Sequence, residues 1–344
     1  MQRSLSNQKI LVTGATGSLG SQILYELAKL DMRPVAGVRR GSNTGYIDSL
    51  QLEKRFADLR NRDELNQITS GIDVVIHTAA WVNFRQDRFT QFTSINTFGA
   101  VDLYKAARLA GVKRFVHVSS IAAVGAVPRN GTRSSALTNS ITEECPFNLG
   151  NLRIPYILSK RAAEEELLQL AHRGSPELLI VNPSIVVAPS STGDDRSRSM
   201  RIFGRSFLPD IRSSVNLVDI RDVAPATVAA AVDGRPGQRY ILAGENISVH
   251  NLTLMASEIL GRKPVLVSMP RSLVNFAAGL SVAYSRFRGR GKIRFYPDLL
   301  RLLDFDWVYS AAKAASELGF RSRPLETTLG ELLTNQFTGT WLRP

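Results

Sequence analysis

The chain has 344 residues, 44% apolar and 21% charged, enough for a large packed core and too evenly mixed for a disordered or fibrous protein. Its single cysteine, Cys145, excludes an internal disulfide framework, and no stretch reaches the roughly 18 uninterrupted apolar residues of a membrane span. The net charge of +13 invites a polyanion, but no RNP sequence or zinc-finger spacing accompanies it, so nucleic acid is not expected as a partner.

The opening MQRSLSNQKILVTG lacks the long apolar core and cleavage site of a secretory signal, and a cytoplasmic location is expected. The β-branched run KILVT (9–13) predicts a first strand, and TGATGSLG follows it directly, with Gly14, Gly17 and Gly20 three apart. Glycines there allow a sharp turn, close approach of backbone to a pyrophosphate, and tight packing of the next helix on the strand. The helix that SLGSQILYELAKL predicts would offer its first N–H groups to the phosphates. Strand, glycines and helix in that order are the context a dinucleotide site demands, and they mark Gly14, Thr16, Gly17, Ser18, Leu19 and Gly20 as its phosphate loop.

A second strand, RPVAGV, ends at Arg39 and Arg40. An acid at this strand end would accept the hydrogen bonds of an adenosine ribose, whereas guanidinium groups suit a 2′-phosphate. NADP is therefore expected, with NAD the alternative, and the plainer reading is a pair of solvated arginines. FADL then places Asp58 and Leu59 at the end of a third strand, beside an adenine. DVVIHT, RFVHVS and LLIVNP (178–183) predict further strands, with the helical segment INTFGAVDLYKAARLAG between the first two. Short apolar strands alternating with helices indicate α/β architecture: a doubly wound parallel sheet of the Rossmann type, covered on both faces.

Between RFVHVS and LLIVNP lies PYILSKRAAEEELLQL, in which Tyr156 and Lys160 stand four apart and so share a helix face. Spacing alone is weak, because Tyr309 and Lys313 repeat it. Position decides between the two pairs. Reactions in doubly wound sheets occur outside the carboxyl ends of the strands. Ser119 and Ser120 end the RFVHV strand, and the helix carrying Tyr156 can return to the same crevice. The pair at Tyr309 has no strand end before it.

Beyond Pro189 the rhythm loosens into an arginine-rich loop, STGDDRSRSMRIFGR, a strand and helix in VNLVDIRDVAPATVAAAV, a strand in QRYILAG, and a mostly helical remainder. The expected division is an NADP-binding core over 1–189, completed by about 215–245, and a smaller substrate lobe from 190–214 and 246–344. RSLVNFAAGLSVAYSRF and its basic tail, Arg286 to Arg294, read either as a helix facing the lobe's core or as peripheral membrane contact through 271–294. His77, His117, His172 and His250 show no ligand spacing, so no metal is expected. A homodimer is left open.

Jointly, TGATGSLG, the DL of FADL, HTAA (77–80), Asn96 with Gly99 in INTFG, the two serines, YILSK and NPS (182–184) resemble the extended short-chain dehydrogenases/reductases. This is also called the NAD-dependent epimerase/dehydratase family. NLVDIRDVA, RYILAGEN and AAKAASELGF extend the resemblance over nearly the whole chain. It lies closest to the dihydroflavonol-reductase-like and 3β-hydroxysteroid-dehydrogenase-like branch, which includes hopanoid-associated proteins named as sugar epimerases. The resemblance implies Tyr156 as proton carrier and Lys160 as the ammonium that favours its phenolate and holds the nicotinamide ribose. It implies Ser120 (Ser119 as fallback) as the hydrogen bond to the substrate oxygen. It further implies Thr78, Ala79 and Ala80 along the cofactor, Asn96 as a brace, and Pro183 and Ser184 beside the nicotinamide.

Two departures matter. Ile157 stands where sugar epimerases carry glycine, and Asn182 and Ile185 stand where they carry the arginine and asparagine that meet a sugar nucleotide. The expected function is thus an NADP-dependent oxidoreductase interconverting carbonyl and alcohol on an apolar small molecule. A nucleotide-sugar epimerase or dehydratase is the alternative, and a non-catalytic NADP sensor a third, against which the intact Tyr156, Lys160 and Ser120 argue.

Overall fold

A computed structural model describes residues 8–32, 34–82, 89–129, 140–171, 174, 176–188, 207–268 and 300–334. The arginine-rich loop and the 271–294 segment lie outside the described residues. Seven parallel strands form the main sheet, in the order Arg239–Leu242, Glu177–Pro183, Arg114–Val118, Val74–His77, Ile10–Thr13, Val35–Val38, Lys54–Phe56. The doubly wound Rossmann architecture read from the alternation is present.

Strand residues alternate between two apolar layers, as the pleat requires. Ile10, Val12, Ala36 and Val38 pack with Ile23, Leu24 and Leu27 of the helix Ser18–Lys29 and with Val223 and Ala224 of Ile220–Asp233. Leu11, Val35 and Phe115 face the other way, against Leu103 and Tyr104 of Gly99–Leu109 and Ala163 and Leu167 of Pro155–Ala171. The second strand lies on one side of the first and the fourth on the other. The strand order therefore reverses beside Thr13, and helices leave to opposite faces there. That switch point opens a crevice at the carboxyl ends, where such folds bind ligands.

A smaller sheet joins Glu245–Ser248, Ser214–Asp219 and Ile185–Val187, antiparallel then parallel. Ser214–Asp219 belongs to this second sheet, while the helix that follows it, Ile220–Asp233, returns to the large one. Leu217, Ile247, Leu252, Leu325 and Leu329 form the second sheet's own core with the helices Val249–Ile259 and Leu325–Thr334. Asp219 ties the two parts: it caps Ile220–Asp233 through the Arg221 N–H (2.8 Å), pairs with the Arg221 guanidinium (2.7 Å) and accepts from Thr328 Oγ1 (2.8 Å). A buried arginine and aspartate are tolerated because each is fully partnered. No helix among the described residues is long and apolar enough to cross a membrane.

Candidate active site

The glycine loop shows why nothing larger fits. Gly14 turns with φ +70°, and a Cβ there would lie 2.7 Å from both Thr78 Oγ1 and the Ala79 nitrogen. A Cβ on Gly20 would come within 2.2 Å of the Gly14 carbonyl oxygen. The first strand's loop and the Thr78–Ala79–Ala80 turn after the fourth strand are thus pressed together at the switch point. Thr78 Oγ1 adds a hydrogen bond to the Thr13 carbonyl (2.7 Å). Gly17, the cap of Ser18–Lys29, offers the first-turn amides no side-chain acceptor, and no acid stands in that turn. Bare backbone and a positive dipole end make a place for phosphate oxygens. Thr16, Ser18 and Leu19 line the same turn, half-buried.

Arg39 and Arg40 both project, exposed, from the end of Val35–Val38. Arg40 lies over the Phe56 ring (5.8 Å) with Glu64 at 3.9 Å, whereas Arg39 has no ion-pair partner among the described residues. Asn61 caps the helix Arg62–Thr69 through the Asp63 and Glu64 amides (3.1 and 3.3 Å). The cap sets Glu64 to accept from the Asp58 N–H at 2.7 Å. The Asp58 carboxylate is gripped by Arg60 (2.6 and 2.9 Å), which holds its pKa down at about 2. Leu59 sits against Gly99, where a Cβ would lie 2.8 Å from its own.

At the reactive end, Lys160 is 3% exposed and donates to the Val118 carbonyl oxygen at 2.9 Å. Burial pushes its pKa down to about 8, with the Glu164 carboxylate opposing the shift, so the ammonium predominates at neutral pH. Tyr156, one turn earlier and half-buried, meets Phe92 edge-on with ring centroids 6.5 Å apart. Ser120 is also half-buried, and its Oγ accepts from the Ala122 N–H (3.2 Å), opening the turn Ile121–Ala123. Ser119 is buried and its Oγ has no partner among the described residues. Strand end and helix start therefore bring Ser120, Tyr156 and Lys160 to the same crevice.

Asn96 fastens this crevice. Its carboxamide bonds both the N–H and the C=O of Trp81 (2.7 and 3.1 Å) and Ser159 Oγ (3.1 Å), while Thr97 Oγ1 donates to the Ser159 carbonyl (3.0 Å). These residues lie in a π-helical stretch, Thr93–Phe98, that precedes the regular helix. Sequence periodicity reads it as one continuous helix. Its wider turns accompany those cross-links. Pro183 ends the strand Glu177–Pro183 and Ser184 follows it, both buried, and Ser184 Oγ has no partner among the described residues. The second tyrosine–lysine pair behaves otherwise: Tyr309 is 2% exposed with its hydroxyl on the Gly125 carbonyl (2.5 Å), and Lys313 binds Gln238 (2.6 Å).

Of three residues beneath the site, Glu164 was not singled out from sequence, and His77 and His117 were weighed there only as metal ligands. Glu164 is fully buried, bonded to Asn182 and Arg239. His77 and His117 are buried with rings 5.4 Å apart. His77 is hydrogen-bonded to Thr13 (2.7 Å), and neither His117 nitrogen has a partner among the described residues. Burial, with Lys160 nearby, lowers the His77 pKa to about 3 and the His117 pKa well below its ordinary value.

The unfolded chain therefore binds protons that the native state refuses. Stability is whole above the unfolded value of about 6.5 and falls as pH drops from there toward about 3, by up to about 1.4 kcal/mol per pH unit for each histidine. The stability that His117→Leu gains over the parent in denaturant unfolding should be larger at pH 5 than at pH 8. An unchanged slope between those pH values would refute the assignment.

A glycine-lined phosphate turn at the switch point and a tyrosine–lysine helix beside a serine-ended strand define an NAD(P)-dependent oxidoreductase of the extended short-chain dehydrogenase/reductase type. The chain belongs to the NAD-dependent epimerase/dehydratase family, whose model matches residues 10–243. It is 30% identical to sterol demethylase protein B of Methylococcus capsulatus, over 90% of this chain and 92% of that one. It is 27% identical to ceramide reductase of Caulobacter vibrioides, over 89% and 87% of the two chains. The solved structure of gox2253 superposes with a TM-score of 0.79 at 29% identity, over 95% and 97%. The fold is shared with UDP-glucose 4-epimerase of Thermus thermophilus in complex with NAD, with a TM-score of 0.71 at 18% identity over 95% and 98%.

Proposed function

We propose that this chain is an NADPH-dependent reductase of a carbonyl group on a lipid-sized apolar molecule. The observation that carries the reading is the state of Asn182 and Ile185, the positions where sugar-nucleotide epimerases present an arginine and an asparagine. Asn182 is wholly buried, and its amide is committed to Glu164 (2.6 Å) and the Ser120 carbonyl (2.9 Å). Ile185 is 45% exposed. The wall beyond Ser184 thus offers a hydrocarbon surface, on which each buried methylene contributes about 0.8 kcal/mol. The names of the relatives matched over nearly the whole chain, a sterol demethylase protein and a ceramide reductase, support a lipid substrate.

The loop Gly14–Gly20 fits a pyrophosphate, since it opens the helix Ser18–Lys29 at a glycine cap with no acid in its first turn. The exposed Arg39 and its neighbour Arg40 suit a 2′-phosphate, with Asp58 and Leu59 beside the adenine. Thr78, Ala79, Ala80, Asn96, Pro183 and the Ser184 hydroxyl would flank the nicotinamide end, and Lys160 its ribose. When bound, the cofactor supplies the hydride.

The chain's own task is the proton. Tyr156 gives it to the carbonyl oxygen as charge develops there. A phenol is an ordinary acid only near pH ~10, and the Lys160 ammonium one turn away favours its phenolate. Ser120 holds the same oxygen, its backbone fixed by Asn182.

The test is absorbance at the reduced-nicotinamide band with NADPH or NADH, across sterol-, ceramide- and flavonoid-like carbonyls and nucleotide sugars. Net NADPH oxidation with an apolar carbonyl is expected, and Arg39→Asp should reverse the cofactor preference. Sugar interconversion without net change in absorbance would make the protein an epimerase.

A further inference from the structure

We propose that Glu164 is a positioning residue of the active site, linking the Lys160 helix to the Ser120 turn and supplying the negative charge opposite the Lys160 ammonium. The inference rests on the Ser120–Tyr156–Lys160 reading.

Glu164 is one of the least solvated side chains of the molecule, at 0% exposure, on a helix whose two following residues, Glu165 and Glu166, are exposed acids. A carboxylate in such a place is strongly disfavoured unless both oxygens are partnered. Here both are: Oε1 accepts from Asn182 Nδ2 at 2.6 Å, and Oε2 accepts from the Arg239 guanidinium, whose side chain is 16% exposed. The same Asn182 nitrogen spends its second hydrogen on the Ser120 carbonyl oxygen at 2.9 Å. One carboxylate therefore joins the proton-relay helix, the strand that leads into Pro183 and Ser184, the edge strand Arg239–Leu242 and the turn that presents Ser120. Removing it frees the amide that holds the serine's backbone.

The second role is electrostatic. Lys160 and Glu164 lie four apart on one helix, both buried, and on that geometry the carboxylate favours the charged lysine. Of the other titratable or charged groups here, Tyr156 lies one turn before Lys160 on the same face, and Arg161 donates to the Ala123 carbonyl oxygen (3.4 Å) and pairs with Glu165. His77 and His117, from the strands beneath, are neutral across any working pH because burial lowers both. Arg239 lies beyond Glu164. Glu143, raised by burial, accepts from the Ile241 N–H (2.8 Å), and its backbone carbonyl accepts from Arg239 (3.4 Å). Glu164 is thus the acid adjoining Lys160, and a neutral glutamine there should make the ammonium easier to lose.

The experiment titrates NADPH and NADH by tryptophan fluorescence from pH 6 to 10, in the parent, Lys160→Met, Glu164→Gln, Glu164→Asp and Arg239→Gln. The parent's affinity should fall at alkaline pH as Lys160 loses its proton, and Lys160→Met should lack that limb. In Glu164→Gln the limb should move down by about one pH unit, in Arg239→Gln it should move up, and in Glu164→Asp it should stay. If Glu164→Gln alone does not fold, the double variant Glu164→Gln/Arg239→Gln leaves no unpaired buried charge. Its limb should still move down, since Glu164 is the nearer charge.

A purely structural role would weaken binding equally at every pH, and an unmoved limb in Glu164→Gln or the double variant overturns the proposal. A limb that persists in Lys160→Met would instead overturn the underlying assignment of Lys160. The two failures are separable.

Discussion

Tyr156→Phe is expected to lower turnover by about 10³-fold or more while leaving NADPH affinity within about twofold of the parent, because only the oxygen that carries the proton is lost. The half-buried ring keeps its edge-on contact with Phe92, so the helix start should hold its shape. Tyr309→Phe is the matched control, since Tyr309 and Lys313 repeat the spacing. That hydroxyl is buried and already committed to the Gly125 carbonyl at 2.5 Å, and its removal leaves a buried acceptor without its donor. The expected effect is a loss of about 1–3 kcal/mol of stability with turnover retained. Steady-state rates and denaturant melts on both variants decide the matter. Lost turnover in Tyr309→Phe with an active Tyr156→Phe would place the active site at the wrong tyrosine.

Gly20→Ala should remove cofactor binding and destabilise the fold. A methyl group at this position would sit 2.2 Å from the Gly14 carbonyl oxygen and 2.9 Å from Thr78 Oγ1. The first of these contacts is backbone, which no side-chain rotation relieves. Either the helix Ser18–Lys29 lifts from the first strand, parting the amides that cradle a pyrophosphate, or the Gly14 turn opens against Thr78 and Ala79. Overpacking of this kind costs about 1–3 kcal/mol, and either adjustment spoils the phosphate turn. Gly71→Ala is a useful comparison: it has the same positive φ as a turn glycine, +66°, but nothing within 4 Å of an added Cβ. It should lose stability through backbone strain alone and keep its cofactor affinity. Normal affinity in Gly20→Ala would remove the loop from the cofactor site.

Much of this protein was readable in one dimension because its chemistry is built from local patterns. TGATGSLG must follow a strand and open a helix to work at all, so the glycines announce both elements and their ligand. The alternation of KILVT, RPVAGV and DVVIHT with helical segments implies a covered parallel sheet, since bare parallel strands do not survive in water. Tyr156 and Lys160 share a face by helical period alone. Preferring them to Tyr309 and Lys313 needed only the strand that ends in Ser119 and Ser120. The same patterns that named these elements could not say how Thr93–Phe98 winds, because a π-helical turn has no periodicity of its own to show.

What the tertiary structure alone decided is which polar groups were taken out of water, and by whom they were then satisfied. Read along the chain, Glu164, Glu165 and Glu166 are three equivalent acids on one helix. Only the packing of that helix on the sheet buries the first and leaves the others exposed. Its partner Arg239 is 75 residues away, and the two meet because the edge strand Arg239–Leu242 registers beside Glu177–Pro183. Asn182 reads in sequence as a missing arginine, and in the fold it is the link between that carboxylate and Ser120. His117, inside a strand, gives no sign that both its nitrogens will be sealed beneath the lysine. The sequence determined the strands and helices, the glycine turn between the first two, and the shared helix face of Tyr156 and Lys160, because hydrogen-bond period and steric demand act over a few residues. Desolvation and long-range pairing depend on strand register and helix packing, and those are settled only when the whole sheet is assembled.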